Sequence, residues 1–239
     1  MSQRSFLLLS TVAIGGMLAL FTYHPASAAE KFTLTSDRDT TVVPRHPQEN
    51  FGSEPYLFLV YYSDPPSSEI SSKILIHFDV SSIHLNPGDR VDSAQLKLTQ
   101  VVQRGWGSTP IRAHRLEDMF NGENQVVWDH PTAPFFDAES FNTWSEQSPR
   151  VIVDGLRFFR QTVTLDVRSI VRKWLEDGQP NNGMFITADV PNPCYCAFGV
   201  AFFSKESRAN GSADLQDLTP RELGSSPTLI IGITRAGAR

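Results

Sequence analysis

The chain has 239 residues, 40% of them hydrophobic and 20% charged, with 26 acidic side chains against 21 basic ones and a formal net charge of −5. These are ordinary globular proportions, at a length that suits one all-β domain. A net negative chain is a poor match for nucleic acid, whose partners present basic patches.

Residues 1–28 read as a secretory signal peptide. Arg4 supplies a positive start, Phe6 to Phe21 is an apolar run without a charge, and Ala26-Ser27-Ala28 is a small-x-small cleavage site. The run is shorter than the roughly 20 apolar residues that a membrane span needs, so cleavage is expected and no span after it. The expected mature domain is 29–239, exported to the periplasm or the extracellular space.

Lys31 to Thr35 and Thr40 to Val43 read as short strands, followed by a polar loop through Pro44, Pro47, Asn50 and Gly52. Tyr56 to Tyr62 is the next strand, closed by Asp64-Pro65-Pro66. From Lys73 onward Ile74, Ile76 and Phe78 fall on one face and Lys73, Leu75 and His77 on the other, the pattern of a half-buried strand. Asn86-Pro87-Gly88-Asp89 has the chemistry of a turn. After it, Ala94, Leu96 and Leu98 alternate with polar neighbours, and Ile111 to Leu116 is a further strand.

From Asp118 to Pro149 periodicity fails, and Asn, Asp, Pro and aromatic residues take over. Loops of such length are more often functional than idle. Strands resume at Val151 to Val153 and Phe158 to Leu165. Then the period changes: Ile170, Val171 and Trp174 form one helix face, with Asp166 placed to cap the start and Gly178 to end it in the left-handed conformation. So short a helix must bury that face against a sheet. Pro180 to Gly183 turns the chain into a strand at Met184 to Thr187. Ala197 to Ser204 is another strand, Lys205 to Ser226 an exposed segment, and Pro227 to Thr234 a last strand with Leu229, Ile231 and Ile233 on one face. About ten short strands and one helix predict a two-sheet antiparallel β-sandwich, jelly-roll-like.

The order of these blocks resembles the DNRLRE domain, a secreted β-sandwich family related to carbohydrate-binding module family ninety-six. The resemblance rests on Asp39 through Asn50-Phe51-Gly52, on His77-Phe78-Asp79-Val80 with Ser93 to Leu98, and on Val171 to Trp174 with Pro180 to Gly183. Phe203-Ser204-Lys205-Glu206 and Pro227-Thr228-Leu229 complete it. It covers nearly all of the mature chain. Relatives usually carry Arg where this chain has His77 and Ser226. The resemblance implies a binding or structural module.

Trp174 belongs to the core by its helical spacing. Trp106, Trp128 and Trp144 instead lie in aperiodic sequence, and with Tyr62 and Tyr195 they are the candidates for stacking on sugar rings. Asp37 and Asp39, with carbonyls of the Asn50-Phe51-Gly52 turn, are candidates for a structural calcium, which takes six or more oxygens; no other cofactor is expected. Asp79 reads as a turn-former. Cys194 and Cys196 lie near the roughly 7 Å Cα limit for a disulfide if the chain is extended, so a bridge needs a turn after Pro191 and Pro193. Hydrolase, metalloprotease and nucleotide-binding motifs are absent. Glu117 with Asp118 and Asp137 with Glu139 are carboxylate pairs by position only.

The expected function is therefore a secreted, non-catalytic module whose partner is a polysaccharide or cell-surface glycan. A structural or adhesive module of a surface or matrix is the alternative, and a polysaccharide-degrading enzyme comes third.

Overall fold

The computed structural model describes residues 29–43, 46, 48–64, 68–105, 109–116, 146–153, 161–188, 196–208 and 226–236. In chain order they form β1 (Ala29–Thr35), β2 (Arg38–Val42), β3 (Tyr56–Asp64), β4 (Ser68–Ser71), β5 (Lys73–His77), β6 (Arg90–Gly105), β7 (Thr109–Arg115), β8 (Val151–Val153) and β9 (Thr162–Asp166). Helix α1 (Arg168–Leu175), β10 (Met184–Ala188), β11 (Cys196–Phe203), a 3-10 turn at Lys205–Arg208 and β12 (Thr228–Thr234) complete them. The strands make two antiparallel sheets, the sandwich that the sequence predicts. The large sheet runs β1-β12-β6-β11-β3-β4 with β9 also paired to β6, and the small sheet runs β2-β5-β10-β7-β8.

The core lies between the sheets. Leu57, Leu59, Leu96, Leu98, Phe202 and Ile231 of the large sheet meet Ile74, Ile76, Ile111, Met184 and Ile186 of the small one. Along β12 the alternation is as expected, with Leu229, Ile231 and Ile233 buried. β5 differs from the expected half-buried strand. Leu75 is fully buried and His77 is 6% exposed, because the small sheet is covered on its outer face as well. Thr40, Leu75, Phe185 and His114 stand in one register row across that face, and all are buried. The His114 ring stacks on Phe185 at 4.7 Å between centroids and 7° between planes.

Helix α1 buries Ile170, Val171 and Trp174, as its spacing requires. Val167 is its N-cap, and Asp166, one residue earlier, accepts from the Arg168 N–H at 3.0 Å. The expected cap therefore acts one position outside the helix. Gly178 has φ +66°, the left-handed stop. The strand expected from Phe158 begins at Thr162, and residues 154–160 lie outside those described.

Two polar ties set how the elements meet. At Ser72 the chain passes from β4 in the large sheet to β5 in the small one with no loop between. β3 has a free edge at that point, since β4 pairs only with Tyr61 to Asp64. Backbone groups there need other partners. The Ser72 hydroxyl donates to the Phe58 carbonyl at 2.9 Å and accepts from the Val60 N–H at 2.7 Å. The Ser72 N–H donates to the Val60 carbonyl at 2.9 Å, and the Phe58 N–H donates to Thr41 Oγ1 at 2.9 Å. Ser72→Ala orphans buried groups and is expected to cost about 1–3 kcal/mol in urea unfolding. A variant as stable as the parent would show that β3 does not depend on this corner.

The second tie is Asp89. It accepts from Arg235 at 2.7 Å, from the Asn86 N–H at 2.8 Å and from the Ala236 N–H at 2.9 Å, and Arg235 also bonds Glu30 of β1. Gly88 in the same turn has φ +93°. The Arg235 guanidinium, with those two backbone N–H groups, holds the Asp89 carboxyl down at about 2. A depressed carboxyl contributes stability above its unfolded value, near 4, and loses it as the pH falls toward the folded one. Arg235→Ala should therefore lower Tm at pH 7, and its gap from the parent should close between about pH 4 and pH 2. A gap constant through that window would mean that the pair is not coupled to folding.

Candidate functional site

Strand β3 alternates cleanly. Leu57, Leu59 and Tyr61 turn to the core, and Tyr56, Phe58 and Val60 turn to the outer face of the large sheet. Val60 is 40% exposed there, with Tyr56 and Phe58 half-buried beside it. The two rings lie 6.4 Å apart at 63°, and Tyr56 rests on Phe203 at 6.1 Å and 36°. Ala201 and Gly199 of β11 stand opposite Phe58 and Val60 in register. Both are small, so the ground beside the rings is low, and among the described residues a Cβ at Gly199 would meet only the Val60 methyl within 4 Å, at 3.8 Å. The result is a strip of rings and methyl groups on the outer face of the sheet, its two rings inclined to each other at 63°. Such a surface can stack against the C–H face of a sugar ring, with polar groups around it setting the orientation.

Phe198 pairs with Tyr61 and with Gly105, and Cys196 pairs with Ser63. The far ends of β3 and β6 and the start of β11 thus coincide. In the small sheet, Thr109 pairs with Val153, and Ala188 pairs with Ile111. Residues 106–108 link Gly105 to Thr109 and span at most about 14 Å, so both groups of strand ends lie at one end of the sandwich. Trp106 and Tyr195, themselves outside the described residues, belong to the two connections that join the sheets at that end. Tyr62 continues the period of Tyr56, Phe58 and Val60; its side chain is outside the description. Trp128 and Trp144 lie within 117–145, also outside it. That segment leaves from Leu116 and returns at Glu146, at the opposite end, where Glu146 is held by Arg115 at 3.2 Å and Lys173 at 3.7 Å. The side chains of the aromatic residues singled out in the sequence for stacking therefore all lie outside the described residues. Tyr56 and Phe58 were missed. Their signal was present as the two-residue spacing of Tyr56, Phe58 and Tyr62, but a strand period does not say which face is outward.

Asp37 and Asp39 bind protein donors on different sides. Asp37 Oδ1 lies 2.6 Å from His77 Nδ1, and Oδ2 lies 3.4 Å from Arg38. Burial pushes the Asp37 carboxyl up, but the His77 hydrogen bond and charge, with Arg38, outweigh it and hold the group low. Asp39 is 1% exposed and accepts from Ser36 Oγ at 2.8 Å and the Lys205 N–H at 3.0 Å. Among the described residues no three His, Cys, Asp or Glu side chains gather as a metal site would require. Asp79 accepts from the Ser81 N–H at 2.9 Å and is a turn-former. Cys194 and the carboxylate pairs at 117–118 and 137–139 lie outside the described residues, and Cys196 is described only as the first residue of β11.

Among the described residues no helix is long and apolar enough to cross a membrane. No curated protein matches the chain. The model of the family described as carbohydrate-binding module family 96 matches residues 30–216, from β1 to beyond β11 and through the strip on β3, and the chain belongs to that family.

Proposed function

We propose that the protein is an exported, non-catalytic module that holds a polysaccharide on the outer face of its large sheet. The observation that carries this reading is the strip of Tyr56, Phe58 and Val60, beside the small residues Gly199 and Ala201, in a chain of a carbohydrate-binding family. Tyr62, Trp106, Tyr195, Trp128 and Trp144 remain further candidates for stacking, their side chains lying outside the described residues. Export is supported by the leader pattern of Arg4, Phe6 to Phe21 and Ala26-Ser27-Ala28. A binding family gives the non-catalytic part of the reading its support. Since Asp37 and Asp39 are held by protein donors, binding is expected to be equal in calcium and in EDTA.

The test is an array of soluble plant, algal and bacterial polysaccharides, followed by affinity measurements on residues 29–239. Phe58→Ala or Tyr56→Ala should weaken binding roughly tenfold, the loss of one stacking contact of about 1.4 kcal/mol, with the circular dichroism spectrum kept. If only Trp128→Ala or Trp144→Ala weakens it, the platform lies on 117–145 and the sheet-face reading fails. Absence of binding to every polysaccharide would overturn the function itself.

A further inference from the structure

The same outer face carries a second feature on its other half. A shallow trough of about 360 Å³ crosses β1, β12 and β6, and a hollow of about 240 Å³ continues it over β9, with Ser93 and Gln95 lining both. Gly232 keeps the floor low. It stands opposite Ser93, and a Cβ there would lie 2.5 Å from Ser93 Oγ. Ser93, Gln95 and Lys97 alternate with the buried Ala94, Leu96 and Leu98, just as Tyr56 and Phe58 alternate with Leu57 and Leu59. Trough and strip therefore share one face of one sheet.

Their chemistry differs. Among the described residues no ring lines the trough, so they offer no stacking surface for a sugar face. It offers instead the amide of Gln95 and the ammonium groups of Lys31 and Lys97, none of which bonds or pairs with another described residue. An amide donates and accepts, and an ammonium donates three times, which suits ring and hydroxyl oxygens at the edge of a sugar. The hollow and trough share Ser93 and Gln95 and both open to solvent, which suits an internal stretch of chain. β12 pairs with Arg90 to Lys97 and β11 with Gln100 to Gly105, so strip and trough are offset along β6; from Val102, in register with Ala201 beside the strip, to Gln95 in the trough is seven residues, about 23 Å, more than one sugar ring can bridge.

We propose that this trough is a hydrogen-bonding subsite, and that the module binds an internal stretch of polysaccharide laid along this face, stacked at β3 and bonded at its hydroxyl edges over β6, β12 and β1. The proposal rests on the glycan-binding reading above. It implies that short sugars meet the strip alone and long ones meet both.

The probes are the best-bound array polysaccharide and its partial-hydrolysis fragments of two to eight sugars, titrated against the folded domain. Affinity should rise with length. Gln95→Ala/Lys97→Ala should weaken the longest fragment about tenfold and leave the shortest unchanged, whereas Phe58→Ala should weaken both. If the double variant folds poorly, Lys31→Ala on the edge strand should give the same length-selective loss. Equal affinity of long and short fragments, or no effect of trough variants on long ones, would overturn the subsite and leave the strip standing. Loss of all fragments in the trough variants with none in Phe58→Ala would overturn the strip as the primary site. Absence of binding by every probe removes both.

Discussion

The large sheet depends on finding partners for the backbone of β6. Its sixteen residues form a strand of about 50 Å, longer than any one neighbour can pair. β12 takes Arg90 to Lys97, β9 takes Gln95 to Thr99 from the other edge, and β11 takes Gln100 to Gly105. Two register shifts, opposite Gly232/Ile233 and Ala201/Phe202, let one strand change partners. Such bulges add twist, and twist lets the two ends of β6 serve different parts of one sheet. The outer face inherits that division: a polar half over β1, β12 and β6 and an apolar half over β11 and β3.

What the sequence made legible were the features written by local chemistry. Helix α1 follows from Ile170, Val171 and Trp174, its stop from Gly178, and the turn at Asn86 to Asp89 from residues whose side chains bond their own backbone. β4 was not legible. Ser68 to Ser71 has one apolar residue and follows two prolines, and only its pairing with β3 makes it a strand. The burial of both faces of β5 was equally hidden, because it depends on the row from Thr40 to His114, contributed by four distant strands. The site shows the same limit. The aromatic period of β3 was readable, but its outward face is fixed by where Leu57 and Leu59 find their core partners.

The two halves of the outer face also answer different physical demands. Stacking draws on apolar area removed from water, which needs flat rings and low ground, supplied here by Gly199 and Ala201. Hydrogen bonding to a hydrated ligand exchanges water for protein groups at little net gain per bond, so it adds orientation more than strength. A sheet offers both on one side because side chains alternate, so every core residue places its neighbours outward.

The corner at Ser72 bears on how tightly such a surface can bind. Its hydroxyl and N–H hold the backbone of Phe58 and Val60 from the side of the small sheet, while β11 pairs with the strand along its other edge. The strand that carries the rings is thus fixed along both edges before any ligand arrives. Immobilising a loop and its side chains on association costs free energy that reduces affinity, and a surface already ordered avoids much of that cost. A serine with no ligand contact thereby preorganises the strip, and the entropy of ordering is met in folding and not in binding.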